Sequence, residues 1–331
     1  MEFKKLGDCK IPILGIGTWG MGGWFSRDTS HDNECIDAIR TAVKSGMTHI
    51  DTAEIYGNGH AEEIVGKAIK GIPRKKLFIT TKVAKNHLHY NDVLDSARKS
   101  MKRMNIKYID LYLIHSPNQK VSLKETMSAL DYLVERGLVR FIGVSNFSSK
   151  LLREAQSHAK NKIVANQVEY NLLKRDAEKN LLGYCQKNGV LLIAYQPLAL
   201  GKLAHKGFRP FDEICLKYDK TPAQVALNWL ISKQNVIAIP KASARHVREN
   251  LGALGWKIRK EDAIRLERYF WKFGFISSFA GRPIRLLKDC IIMIIPEKYL
   301  GKFEGFYDRM IEKISKLEKR IFKMNILAVI S

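Results

Sequence analysis

Cysteine is scarce in this chain of 331 residues. Cys9, Cys35, Cys185, Cys215 and Cys290 are odd in number and show no C-x-x-C spacing. That pattern excludes a disulfide framework and a thiolate zinc site, and it suits a reducing compartment, the cytoplasm. Long apolar runs are also missing. The densest, Cys290 to Ile295, falls far short of the roughly 20 residues that a helix needs to cross a bilayer. No secretory leader is expected, because Met1-Glu2-Phe3-Lys4-Lys5 runs into a turn rather than an apolar stretch. Acidic residues are few: 33 Asp and Glu stand against 56 Lys and Arg, a formal net charge of +23. The surplus is spread along the whole chain, which reads as a solvated lysine surface rather than a dedicated arm for specific nucleic-acid binding. What is present, 46% hydrophobic and 27% charged residues, is the composition of a globular protein with a sizeable core.

From Leu14 to Glu249 short apolar runs alternate with longer amphipathic ones. The short runs are LGIGT (14–18), HIDTA (49–53), LFITTKV (77–83), DLYLIH (110–115), VRFIGVSN (139–146), VANQVEY (164–170), VLLIAYQP (190–197) and VIAIPKA (236–242). Their near-continuous hydrophobicity predicts strands of a parallel sheet buried on both faces. Helical patterns lie between them, as at Asn33–Ser45, Val93–Arg103, Leu123–Glu135 and Pro222–Ser232. Gly46, Gly71, Gly137 and Gly189 stand where helices should stop. The rhythm predicts an α/β fold, a (β/α)8 TIM barrel, with an open doubly wound sheet as the alternative. EFKKLGDCKIPI reads as an N-terminal β-hairpin turning at Gly7-Asp8 and plugging the barrel, and a helix is expected near residues 210–218.

Polar residues fall at the C-terminal end of nearly every expected strand: Thr18 and Trp19, Asp51, Lys82, His115, Ser145 with Asn146, Gln167, Tyr195 and Lys241. Taken singly, Asp51 reads as a helix cap and His115 or Tyr195 as core. In a (β/α)8 barrel, however, all these ends converge on one face, where active sites are built. Tyr56 follows the second of these strands. A phenol has a pKa near 10 and needs help to act at neutral pH; a neighbouring ammonium, here Lys82, is expected to lower it, with Asp51 orienting the lysine. His115 is expected to polarise a carbonyl oxygen. Such a set donates a proton and stabilises oxygen, so it requires a separate hydride source, a nicotinamide or flavin. The sequence offers no nucleophile paired with a base and no carboxylate cluster for a metal. His87 and His89 form an H-x-H without a third ligand and read as loop residues.

At these residues the chain resembles the aldo-keto reductase family over about residues 3–270. The matching stretches include GIGTW (15–19), DTAEIYGNG (51–59), TTKV (80–83), DLYLIHSP (110–117), IGVSNF (142–147), NQVEYNLL (166–173), AYQPLALG (194–201), TPAQVALNWL (221–230) and IPKAS (239–243). The resemblance implies that Asp51, Tyr56, Lys82 and His115 are the catalytic set, with Tyr56 as general acid in the reduction of an aldehyde or ketone. It implies NADP(H), in preference to NAD(H), extended across the barrel face, in keeping with the lack of a G-x-G-x-x-G after the first strand. The implied cofactor contacts are Gly17, Thr18, Trp19, Asp51, Ser145, Asn146 and Gln167, then Tyr195 stacking on the nicotinamide, then Gln196, Pro197 and Leu198. Lys241, Ser243, Arg245 and Asn250 would hold the adenosine end. The implied small-molecule carbonyl substrate would meet Trp19, Trp24, Tyr56 and His115. Two departures stand out: His246 occupies the place of a phosphate-clamping arginine, for which Arg245 or Arg248 substitutes, and Gln196 replaces a usual serine.

The likeness ends near Phe270, giving an expected barrel over 1–270 and a C-terminal extension over 271–331. Trp271, Phe273 and Phe275 are expected to line the pocket. Ile311, Ile314, Leu317 and Ile321 recur at helical spacing among charges. Three readings stand for this tail: an oligomer or packing contact, a basic helix on a membrane surface, or disorder. For the whole chain, a cofactor-sensing regulatory barrel is the alternative to an enzyme.

Overall fold

The computed structural model describes residues 1–24 and 26–271. Two strands, β1 (Phe3–Leu6) and β2 (Cys9–Pro12), form the expected antiparallel hairpin, turning at Gly7-Asp8. Gly7 has φ +57°, and a Cβ there would meet Phe141 Cε1 at 2.9 Å, so the turn both needs and hides a glycine. Phe141 lies inside the barrel, so the hairpin does plug its N-terminal mouth. Lys4 fastens it by donating to the carbonyls of Ile231, Lys233 and Val236 at 2.5–2.6 Å.

Eight parallel strands follow in chain order: β3 (Ile16–Gly17), β4 (His49–Asp51), β5 (Phe78–Val83), β6 (Ile109–Ile114), β7 (Val139–Ser145), β8 (Ile163–Glu169), β9 (Leu191–Tyr195) and β10 (Val236–Ala238). Between them run α1 (Asp32–Lys44), α2 (His60–Ile69), α3 (Tyr90–Met104), α4 (Leu123–Glu135), α5 (Ser149–His158), α6 (Leu181–Asn188) and α8 (Pro222–Ile231), with α9 (Ala244–Leu251) after β10. The extra helix α7 (Arg209–Tyr218) lies in the β9–β10 connection, where the sequence placed it, and residues 260–271 are helical. Thr221 caps α8 in a reciprocal box with Gln224, and Pro222 opens the helix.

The edges of the sheet meet. Leu14 bridges Ala238 in parallel, Gly15 N donates to Ala238 O at 2.9 Å, Ala238 N donates to Ile13 O at 3.0 Å, and Gly17 N donates to Pro240 O at 3.1 Å. These bonds close a (β/α)8 barrel and exclude the open sheet. The first and last strands are shorter than the apolar runs suggested. Leu14 and Ile16 pair with opposite neighbours, and Pro240 has no N–H to continue a ladder.

Register fixes which side chains face the interior. Gly17 pairs with Asp51, Asp51 with Thr80, Lys82 with Leu113, Leu113 with Gly143, Ser145 with Gln167, and Gln167 with Ile193. Side chains alternate along a strand, so Asp51, Lys82, His115, Ser145, Gln167, Tyr195 and Lys241 all share one face. That face is the interior: Gln167 Nε2 on β8 donates to Asp51 Oδ2 on β4 at 2.7 Å, a bond that must cross the barrel.

One step below Asp51 lies His49, fully buried, with Nε2 3.0 Å from Thr80 Oγ1 and Nδ1 without a partner among the described residues. Burial, and then the Lys82 charge, push its pKa down to about 3. In the unfolded chain the imidazole takes up a proton near pH 6.5 that the folded one refuses. Its contribution is therefore complete above about pH 6.5 and is lost as pH falls toward 3, at about 1.4 kcal/mol per pH unit. Urea unfolding between pH 7 and 4 should show a slope shallower by about that amount in His49→Asn than in the wild type; equal slopes would contradict this.

Candidate active site

Tyr56 sits on a 3-10 turn, Tyr56–Gly59, between β4 and α2. Gly57 (φ +55°) and Asn58 (φ +53°) are both left-handed, and a Cβ on Gly57 would lie 2.2 Å from Gly22 O. The turn therefore requires glycine both for its conformation and for the approach of the β3–α1 loop, whose Trp24 carbonyl accepts from Gly57 N at 3.3 Å. Tyr56 packs with Ala53 and Ala61, with Trp19 against them, and is buried to 8% exposure.

Lys82, fully buried on β5, is the hub. Its Nζ donates to Asp51 Oδ1 at 2.6 Å, to Thr52 O at 2.7 Å and to Tyr56 Oη at 3.2 Å. These bonds use the three ammonium donors. Because Oη already accepts from Lys82, the phenol's own proton is left for another acceptor. The His115 ring meets the Tyr56 ring edge-on, with centroids 5.6 Å apart.

The electrostatics correct one expectation. Lys82 does act to lower the Tyr56 pKa, but burial, reinforced by the Asp51 charge, outweighs it and holds the phenol above its usual 10. A phenolate deprived of water costs more than one nearby ammonium returns. Burial also works against the Lys82 ammonium, yet Asp51 and Tyr56 more than offset it, so Lys82 stays charged. For His115, burial and then Lys82 push the pKa down to about 3. At neutral pH the site thus holds a protonated phenol, an ammonium and a neutral imidazole.

The remaining expected residues form an arc beside this group. Ser145 Oγ donates to Gln167 O at 2.9 Å. Asn146, in the left-handed region at φ +63°, donates through Nδ2 to His115 O at 3.1 Å and accepts on Oδ1 from Tyr195 Oη at 3.0 Å. The half-buried Tyr195 ring is thereby fixed at the mouth. Gln196, also left-handed (φ +49°), accepts on its carbonyl from Asn171 Nδ2 at 2.9 Å and leads into buried Pro197 and half-buried Leu198. Lys241 extends over the Trp24 ring at 5.3 Å, and Trp24 meets Trp19 edge-on at 4.4 Å. Ser243 caps α9 by accepting from His246 N, which ties His246 to the cap, while Arg245 and Arg248 are exposed. Thr18 Oγ1 and Asn250 Nδ2 are buried without a partner among the described residues. Trp271 is exposed, and the expectations for Phe273, Phe275 and the tail helix lie outside the described residues.

Some supports were missed. Glu54 Oε1 accepts from Ala84 N at 2.6 Å and contacts His87 Nδ1 at 3.0 Å, joining the Tyr56 segment to the β5–α3 loop. His89 turns instead toward Glu125, so the H-x-H pair serves two separate carboxylates. His60, wholly buried, has Nε2 2.7 Å from Asp32 and Nδ1 2.9 Å from Glu63, pinning α1 to α2 beside the turn. Among the described residues no group of His, Cys, Asp and Glu is arranged to hold a metal, and no helix is long and apolar enough to cross a membrane.

The described chain is thus a closed parallel barrel with a lysine that bridges an aspartate and a tyrosine on its C-terminal rim. The chain belongs to the aldo/keto reductase family, whose model matches residues 13–269. It is similar to the methylglyoxal reductase YeaE of Escherichia coli, 35% identical over 269 residues, covering 80% of this chain and 93% of that protein. It is likewise similar to the glyoxal reductase of Bacillus subtilis, 36% identical over 261 residues, covering 78% and 88%. Among solved structures, the thermostable aldo-keto reductase Tm1743 bound to epalrestat matches with a TM-score of 0.79 and 48% identity, over 81% of this chain and all of that one. An aldo/keto reductase from Klebsiella pneumoniae solved with NADP and acetate matches with a TM-score of 0.73 and 33% identity, over 80% and 94%.

Proposed function

We propose that this protein is a cytoplasmic NADP(H)-dependent carbonyl reductase that converts an aldehyde or ketone to the alcohol, reversibly, with Tyr56 as proton donor. The observation that carries this is the Lys82 hub: a buried ammonium that donates into Tyr56 Oη while held by Asp51 and Thr52 O. The carbonyl oxygen docks between Tyr56 and His115. Neutral His115 donates an N–H and sets the direction of the carbonyl, and Tyr56 transfers its proton as negative charge develops on oxygen. Lys82 stabilises the phenolate left behind. When bound, the reduced nicotinamide supplies the hydride.

The residues on the arc fit such a cofactor. Asn146 and Tyr195 offer a fixed amide and a flat ring, and Gly17, Thr18, Trp19, Asp51, Ser145, Gln167 and the Gln196–Leu198 loop border the same face. Asn250, on α9, brings a buried amide nitrogen without a partner among the described residues. Lys241 and Arg245 supply the positive charge that an adenosine phosphate requires, which favours NADP(H) over NAD(H), and the relative solved with NADP supports this. Residues 1–270 form the catalytic barrel in this reading, and 271–331 an extension.

The test is consumption of NADPH and NADH against a panel of aldehydes, ketones and keto sugars. Methylglyoxal and glyoxal lead the panel, since two relatives are named for them. Turnover with NADPH in preference to NADH is expected. Tight NADPH binding with no turnover on any carbonyl would instead establish a sensing barrel.

A further inference from the structure

At the N-terminal mouth of the barrel, opposite the active site, the connections that enter the strands carry charge of one sign. The connections that lead from each helix into β4 through β10 are all described, and they contain no Asp or Glu. They do contain Lys70, Lys75, Lys76, Lys107, Arg136 and Lys162, all exposed and in no ion pair among the described residues. Arg74 and Arg140 share the one buried carboxylate of Asp110, and Lys160 pairs with Glu135 at 3.3 Å. The connections at the opposite mouth differ: Asp28, Glu54, Asp176 and Glu178 lie within them.

The hairpin at the centre of this ring adds a second observation. Lys5 and Lys10 are exposed and directly opposite each other in the β1–β2 register. Like charges so placed destabilise a ribbon, and Asp8 at the turn is the acid nearest in sequence to offset them. Phe3, two residues before Lys5 and on the same face, is 53% exposed, and Met1 is 39% exposed. Exposed apolar side chains on the same ribbon face as a lysine pair, with Glu2 the acid between them in sequence, suit a plane that is anionic at its surface and apolar beneath. Nucleic acid fits less well, since the ring is mostly compact ammonium groups and has no row of aromatics to stack on bases.

We infer that the N-terminal mouth of the barrel, centred on Phe3, Lys5 and Lys10, docks on an anionic membrane surface. The catalytic mouth then faces away, open to substrate. The inference is independent of which carbonyl the enzyme reduces.

The experiment is co-sedimentation of the full chain with phosphatidylcholine vesicles, with and without phosphatidylglycerol, alongside fluorescence anisotropy with single-stranded RNA and duplex DNA. Binding to the anionic vesicles alone, weakened by salt, is expected. Each lysine beside an anionic bilayer strengthens binding about fivefold. K5A/K10A should therefore weaken it roughly 25-fold with the Tm unchanged or raised, because a like-charge pair is removed. Adding K75A and K76A should bring the loss beyond about a hundredfold with NADPH-linked turnover intact, whereas K85A/K120A/K124A/K150A, elsewhere on the barrel, should bind as the wild type does. The inference is overturned by absence of vesicle binding at low salt, by equal binding of K5A/K10A and the wild type, or by tighter capture of RNA or DNA than of vesicles.

Discussion

Tyr56→Phe should lose turnover by about 10²–10⁴-fold, the range by which a positioned general acid accelerates a reaction, while NADPH affinity stays near that of the wild type. The substitution removes one oxygen from a ring whose packing against Ala53, Ala61 and Trp19 is otherwise preserved. Lys82 keeps Asp51 and Thr52 O as partners and loses only the longest of its three bonds, at 3.2 Å. Stability should therefore change by about 1 kcal/mol, the net worth of a single hydrogen bond. A fall in kcat with binding and fold retained isolates the proton donor, and stopped-flow NADPH binding beside steady-state rates separates the two. Wild-type turnover in Tyr56→Phe would remove Tyr56 from the chemistry.

Lys82→Met should be the most destabilising single change at the site. It leaves the Asp51 carboxylate at 2% exposure with Gln167 as its remaining side-chain donor. Breaking a buried ion pair on one side costs about 3–5 kcal/mol, because the surviving charge has neither water nor a partner. Activity should fall as well, since the phenolate formed in the reaction loses its neighbouring cation. The double variant Lys82→Met/Asp51→Leu separates these effects. With both charges gone it should regain most of the stability in urea unfolding, as apolar replacements of buried pairs often do, and none of the activity. Recovery of turnover in the double variant would mean that the pair serves only the fold.

The rim was legible because it rests on two regularities the chain displays openly. The strands are buried on both faces and read as apolar runs, and a polar residue at the end of such a run has no place but the barrel mouth. Asp51, Lys82, His115, Ser145 and Gln167 follow that rule, and their shared inward face follows from the two-residue alternation. The helix ends were equally open to reading: Gly46, Gly71, Gly137 and Gly189 all have positive φ. Closure of the barrel was less visible, since it depends on backbone bonds from Ile13–Gly17 to Ala238–Pro240 that carry no side-chain signature. The Tyr56 pKa went the other way because spacing shows a lysine nearby but not how much water the phenol loses. The His60 clasp joins residues 28 apart through contacts that no periodicity encodes. Loops gave least: Trp24 belongs with Trp19 and Lys241 only because β3 and β10 are neighbours in the closed ring.

In the proposed mechanism a protonated Tyr56, and not His115, delivers the proton. The pH dependence of kcat for carbonyl reduction at saturating NADPH tests it most directly. A donor must hold its proton, and burial raises the Tyr56 pKa above 10 while His115 is already neutral above about pH 3. The rate should therefore stay level through neutral pH and decline only on the alkaline side, above about pH 10. A decline through pH 6 to 7, the mark of an imidazolium donor, would assign the proton to His115 instead.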